Sequence, residues 1–178
     1  AVVFLSGFGG DGRVTGASLE RVRDHGPAVL GLVAAVAVFV GLRSGSRGGP
    51  LALEQPAVRH VLLAPVDRGV ALRGPALRQL RFLVSVGAAV GAASGQLALR
   101  RLPGNPAEWL AVGAVFGATV VALSFGCALT ASGLGLPRWA ATGGGRALVV
   151  WAVGDVAGKV PASPTALVGQ LGVWALHT

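Results

Sequence analysis

The sequence predicts an all-α protein, a polytopic α-helical membrane bundle with short amphipathic helices on its cytoplasmic side. Of its 178 residues, 53% are hydrophobic and only 12% are charged, and the mean hydropathy is +0.69. Soluble domains carry about 25% charged residues, so a water-soluble fold of this composition would expose large apolar patches. Three long uncharged runs, at 27–42, 82–99 and 109–134, approach or reach the ~17–25 residues that cross a bilayer.

The net charge of +8 is interpreted as a topology signal. The basic residues fall mainly between the apolar runs, whereas the aromatic residues lie largely within them. A nucleic-acid-binding surface would combine continuous positive charge with exposed stacking aromatics, so we expect no nucleic-acid partner. Basic loops of membrane proteins mark the cytoplasmic side. The chain is therefore expected to be one multi-pass transmembrane domain, residues 1–178, in the plasma membrane.

The first predicted elements are a glycine-rich loop at 7–18 and a short polar helix at 19–25 that ends at Gly26-Pro27. Proline suits the first turn of a helix, and the run at 27–42 is predicted as the first span. A buried helix of a soluble protein is the alternative. The sequence holds no methionine, even at position 1, which predicts a piece of a longer chain.

The connection at 43–81 is predicted to be a cytoplasmic loop with two short interfacial helices over 51–80. Apolar residues recur at helical spacing in 51–63. Pro65 interrupts this helix, Asp67 caps the next, and Gly74-Pro75 breaks the chain again. Seven arginines against two acidic residues mark a cytoplasmic loop. Two interpretations stay open: the arginines bind anionic lipid, or the loop docks a soluble partner.

The second span is predicted at 82–99 and carries Gly87, Gly91 and Gly95 at four-residue intervals. Such a row permits close helix packing in lipid, although with 29 glycines in the chain a chance arrangement is the alternative. The turn at 100–108 then predicts a hairpin to the third span. Trp109 and Trp139 bracket that span, as aromatic residues at membrane interfaces do.

The C-terminal part predicts a fourth span at 147–158 and a possible fifth at 164–177. Alternation places 100–108 and 155–164 outside and 137–146 inside. Asp155, Lys159 and two prolines interrupt the apolar sequence, which fits two separate spans or one broken helix and favours two spans. Asp155 and Lys159 stand four residues apart and predict an ion pair. We expect it at the interface; within the membrane it would indicate a functional site.

No arrangement of residues predicts catalysis, a metal site or a cofactor. His25, His60 and His177 are far apart and lack ligand spacing, and Cys127 is the single cysteine. Serines in the apolar runs have no histidine at a matching depth. The GxxxxGK[ST] phosphate loop is missing. The chain is therefore expected not to be an enzyme.

One segment carries a resemblance to a known family. LLAPVDRGVALRGPALRQLR, residues 62–81, follows an amphipathic helix and leads into a span. It resembles the cytoplasmic loop after the second span of ABC-2-type exporter permeases and, more closely, a family of actinobacterial ABC-transporter-like membrane proteins. The similarity covers roughly residues 27–139. Fewer spans than the six typical of such a permease half agree with a fragment.

The resemblance implies a permease-like subunit of an ABC-type exporter that couples to a separate ATP-binding subunit through the 51–81 loop and assembles as an oligomer in the lipid bilayer. The coupling residues it implies are Arg59, Pro65, Asp67, Arg68, Arg73 and Arg78. Pro65 and Asp67 would shape a turn, while Arg68 would reach the partner or lipid phosphates. A non-transporting integral membrane scaffold that binds its partner through the same loop is the alternative.

Overall fold

The structure is a computed structural model that describes residues 16–48, 68–100, 102 and 104–174. Over these residues the fold is all-α, as predicted, with five helices and no strand. The helices are α1 (Ala17–Gly45), α2 (Arg68–Leu99), α3 (Pro106–Gly133), α4 (Arg138–Val156) and α5 (Ala166–Val173). The first predicted interfacial helix lies outside the described residues.

Three segments are long and apolar enough to cross a membrane. They are Glu20–Gly45 in α1, Leu72–Leu99 in α2 and Pro106–Gly133 in α3, of 26, 28 and 28 residues. At a rise of about 1.5 Å per residue, each exceeds the ~30 Å hydrocarbon thickness of a bilayer. The three long uncharged runs of the sequence lie in these helices, which indicates a membrane protein.

Two glycine-proline pairs lie inside helices and do not end them. Gly26-Pro27 is within α1 and Gly74-Pro75 is within α2, whereas the sequence predicts a boundary at each pair. A proline ring crowds the N–H and the Cβ of the preceding residue. Because glycine has no Cβ, part of that crowding is absent. The predicted polar helix and the predicted second interfacial helix are therefore the first turns of α1 and α2.

The helix α4 begins earlier than the sequence predicts. Residues 138–146, predicted as part of the inside connection before the span at 147–158, form its first half. Gly145 is buried against Phe39 of α1, and Ala141 is also buried. Glycine lowers intrinsic helix propensity, but tertiary packing overrides propensity. The small side chains here let α4 approach α1 closely.

Contacts between helices show their relative directions. Gly41 and Gly45 of α1 lie against the backbone of Ser124 and Ala128 of α3. The residue numbers rise together, so α1 and α3 are parallel. Because α3 ends close to Gly45 and α4 follows after a short turn, α4 runs back along α1, antiparallel to it.

The short helix α5 packs against the N-terminal half of α1. Gly31 lies against Ala166, and Gly26 lies against Val173. The numbers run in opposite directions, so α5 is antiparallel to α1, as α4 is. Thus α4 and α5 run in the same direction. The three candidate spans found in the described residues do not include these two helices, and residues 175–178 lie outside the described part of the chain, so the spans at 147–158 and 164–177 stay predictions.

Candidate functional site

A seam of glycines joins α2 to α3. Gly87, Gly91 and Gly95 are all buried and face α3, where they meet the backbone of Gly117, Gly113 and Trp109 in that order. A Cβ at any of the three would overlap atoms of α3. The seam is antiparallel, and it brings the two backbones into direct contact. Such contact is how helices associate in lipid, where packing replaces the hydrophobic effect.

Glycines also hold α1 in place, which the sequence analysis did not identify. A Cβ at Gly41 or Gly45 would overlap carbonyl oxygens of α3, and one at Gly169 of α5 would overlap the carbonyl of Pro27. The spacing of Gly41 and Gly45, four residues apart, is the same pattern as in α2 and could have revealed this contact. The helix α1 is the centre of the bundle, since it packs against α3, α4 and α5.

The helix directions sort the charges into two ends of the bundle. One end comprises the C-terminal turn of α1, the first turns of α2 and the α3–α4 connection with the start of α4. Its described residues, 43–48, 68–81 and 134–146, include no acidic residue and eight arginines. We call it the arginine end. Those arginines are Arg43, Arg47, Arg68, Arg73, Arg78, Arg81, Arg138 and Arg146.

The opposite end has balanced charge, and we call it the mixed end. It comprises the start of α1, the α2–α3 turn and the α4–α5 connection. In its described residues, 16–26, 100, 102, 104–108 and 155–165, four basic residues accompany four acidic residues. They are Arg21, Arg23, Arg100 and Lys159, with Glu20, Asp24, Glu108 and Asp155. The described part of the arginine end therefore has a net charge of +8, and the described part of the mixed end has a net charge of zero.

The predicted coupling residues lie partly at the arginine end. Arg73 and Arg78 are exposed near the start of α2, and Arg68 is the first residue of that helix. Arg59, Pro65 and Asp67 lie outside the described residues. The structure thus places Arg68, Arg73 and Arg78 on α2, the helix that contains the candidate span Leu72–Leu99.

The interruption between α4 and α5 contains a small polar cluster. The Asp155 carboxylate accepts a hydrogen bond from the backbone N–H of Ser163 at 2.7 Å. The hydroxyl oxygens of Ser163 and Thr165 lie 3.1 Å apart, and both residues are buried. The Trp151 indole N–H donates to the carbonyl of Pro161 at 3.1 Å. These bonds fold the connection back onto the last turns of α4.

The predicted ion pair of Asp155 with Lys159 does not form in this part of the structure. Asp155 bonds to the backbone of Ser163, and Lys159 is exposed. α4 ends in a turn at Gly158, whose φ of +66° is readily adopted by glycine. Lys159 follows this residue, so it no longer continues the helical spacing on which the predicted pair depended.

The described residues hold no group of histidine, cysteine and acidic side chains suited to a metal ion. His25 is exposed on α1, and the other two histidines lie outside the described part. A shallow open groove of about 430 Å³ runs along the outer face of α3 and is lined by Thr119, Ala122, Leu123, Gly126, Cys127 and Thr130. Thr119 and Thr130 bond to carbonyls of their own helix. The hydroxyl groups of Thr119 and Thr130 are thus already engaged within α3, so the groove has little polar surface with which to bind a ligand.

No protein-family model, curated protein or solved structure matches the chain. The resemblance to ABC-2-type exporter permeases therefore rests on the sequence of this chain alone.

Proposed function

We propose that the chain is a membrane-spanning, permease-like subunit of an ABC-type exporter in the plasma membrane. Its arginine end faces the cytoplasm, and the 51–81 segment docks a separate ATP-binding subunit there. Hydrolysis of ATP belongs to that partner, and this chain contributes the path through the bilayer.

The charge difference between the two ends carries this proposal. Arginine and lysine in loops next to membrane spans are retained on the cytoplasmic side. The described arginine end carries eight arginines without an acidic residue, whereas the described mixed end has no net charge. The difference supports a cytoplasmic position for the start of α2, with Arg73 and Arg78, which is the side where a soluble ATPase would dock. An exposed basic surface also favours rapid association with an acidic partner.

The test is co-purification of the tagged chain from its native host in mild detergent, followed by an ATPase assay of the complex. We expect an ATP-binding protein to co-purify. Arg73→Glu should reduce ATPase stimulation at least tenfold without changing membrane insertion. Arg100→Glu is the matched control, because it makes the same charge change directly after the other end of α2, at the mixed end, and should have little effect.

Three results would contradict the proposal. A co-purifying partner without ATPase activity would support the scaffold instead. Equal loss of stimulation in both variants would remove any special role for the start of α2. Unchanged stimulation in Arg73→Glu would reject docking at this residue.

A further inference from the structure

Four arginines of the arginine end lie along the packed helices α1 and α4. Phe39 and Gly145 are in contact across this pair of helices. Arg43 lies one helical turn after Phe39 and so is on the same side of α1, while Arg47 lies in the turn that follows the end of α1 at Gly45. Arg138 is two turns before Gly145.

The antiparallel register brings these residues to similar heights. If Phe39 and Gly145 are level, then the end of α1 at Gly45 is about level with the start of α4 at Arg138, and Arg47 follows that end of α1. Arg146 directly follows Gly145 in the sequence. With a rise of about 1.5 Å per residue, the four arginines fall within about 13 Å along the axis. We call this set, Arg43, Arg47, Arg138 and Arg146, the arginine groove.

The described surroundings of the arginine groove supply no counter-charge. Arg47, Arg138 and Arg146 are exposed, and Arg43 is half-buried. The next acidic residue along α4 is Asp155, nine residues beyond Arg146 and thus about 13 Å farther along the helix. Four like charges held on two packed helices repel one another, and a bound anion would relieve this repulsion.

The position of the groove identifies the kind of anion. Arg43, Arg47 and Arg138 lie where the apolar part of α1 ends, near the level at which lipid phosphates are found, and Arg146 lies about 12 Å deeper than Arg138 along α4. Trp139 follows Arg138 and is 79% exposed, and Leu134 is 75% exposed. Tryptophan concentrates at the membrane–water interface. Basic sites between membrane helices at this depth suit anionic headgroups, and guanidinium groups bind phosphate in a bidentate manner.

We propose that the arginine groove binds the phosphate of an anionic phospholipid headgroup in the leaflet at the arginine end. The acyl chains then lie along the outer surfaces of α1 and α4. This site is independent of the proposed transport function, because it uses α1 and α4, whereas docking uses the 51–81 segment and the start of α2.

The test measures lipid binding by the full chain in neutral detergent. Phosphatidylglycerol and phosphatidylcholine are titrated separately, and bound lipid is counted by native mass spectrometry. We expect selective binding of phosphatidylglycerol. The double substitution Arg138→Gln with Arg146→Gln should weaken the affinity for phosphatidylglycerol roughly 30-fold, because each arginine contributes about 1 kcal/mol, or about fivefold in affinity, and the two factors multiply. Arg78→Gln with Arg81→Gln removes the same charge at the same end and should weaken it less than about threefold.

Two controls separate a loss of lipid binding from a loss of folding or of general charge. Circular dichroism checks that each variant remains helical. A pair of lysine substitutions, Arg138→Lys with Arg146→Lys, keeps the charge and should restore most of the affinity. Equal weakening in the two glutamine pairs, equal binding of both lipids, or displacement of the lipid by an equal concentration of inorganic phosphate would each overturn the proposal. The last result would assign the groove to a free anion.

Discussion

Gly91 of α2 and Gly113 of α3 face each other so closely that the carbonyl oxygen of each occupies the space where a Cβ of the other would lie. Neither position can accept even alanine without moving a helix. The relationship is reciprocal, and it repeats one turn away, where Gly87 meets Gly117. The stability of the α2–α3 pair therefore depends on the absence of side chains at these positions.

Gly91→Ala is expected to destabilise the bundle by about 1–3 kcal/mol, the usual cost of overpacking. The measurement is unfolding by increasing SDS in mixed micelles, followed by circular dichroism. Gly126→Ala is the control: it is also in a membrane-spanning helix, but nothing lies within 4 Å of its Cβ position. Its unfolding midpoint should be unchanged or slightly higher, because alanine favours the helix. A similar decrease of the unfolding midpoint in both variants would argue against a stabilising role for the glycine contact between α2 and α3.

Asp155→Ala is expected to loosen the α4–α5 connection. The N–H of Ser163 would lose its acceptor, and an unsatisfied buried donor costs about 1–3 kcal/mol. Asp155→Asn retains an oxygen acceptor and should destabilise the connection less. Lys159→Ala should leave its stability almost unchanged, because Lys159 is exposed. Limited proteolysis of residues 157–165 measures this loosening. Cleavage as slow in Asp155→Ala as in the unaltered chain would show that the hydrogen bond does not hold the connection.

Pro75→Ala is expected to stabilise the first turns of α2 by about 1–2 kcal/mol, since proline within a helix lacks a hydrogen-bond donor. Pro75 is exposed, so no packing is lost. Amide hydrogen exchange over residues 72–80 should slow. Pro106→Ala is the matched control, because Pro106 is the first residue of α3, where proline is well tolerated. It should alter exchange in α3 very little.

The orientation of the bundle can be measured with single cysteines in a Cys127→Ala background. Ser44 lies at the arginine end and Ala107 at the mixed end, and both are exposed. A maleimide that does not cross membranes should label Ala107→Cys in intact cells. It should label Ser44→Cys only after the cells are opened. The reverse pattern would place the arginine end outside and would remove the basis of the docking proposal.

The membrane helices could be predicted because their evidence is local. A long uncharged run between charged residues indicates a span whatever surrounds it, and the three runs lie in α1, α2 and α3. The four-residue spacing of Gly87, Gly91 and Gly95 indicated a packing face. It could not identify the partner, because the partner row in α3 includes Trp109 and has only two glycines.

Other features depend on contacts between distant residues. Gly26-Pro27 and Gly74-Pro75 were interpreted as breaks because both residues disfavour helix interiors, yet both pairs are helical. The direction of α5 is visible only from its contacts with α1. The arginine groove joins residues that are about a hundred positions apart in sequence, and their proximity follows from the contact between Phe39 and Gly145.

The helix α2 makes an extended contact with α3 and with no other described helix. Within the described residues, a displacement of the exposed first turns of α2 would therefore reach the other helices through the row of glycines that faces α3. The glycines in this contact have no side chains that could change rotamer and absorb a displacement. The two helices would therefore shift or tilt relative to each other as rigid bodies.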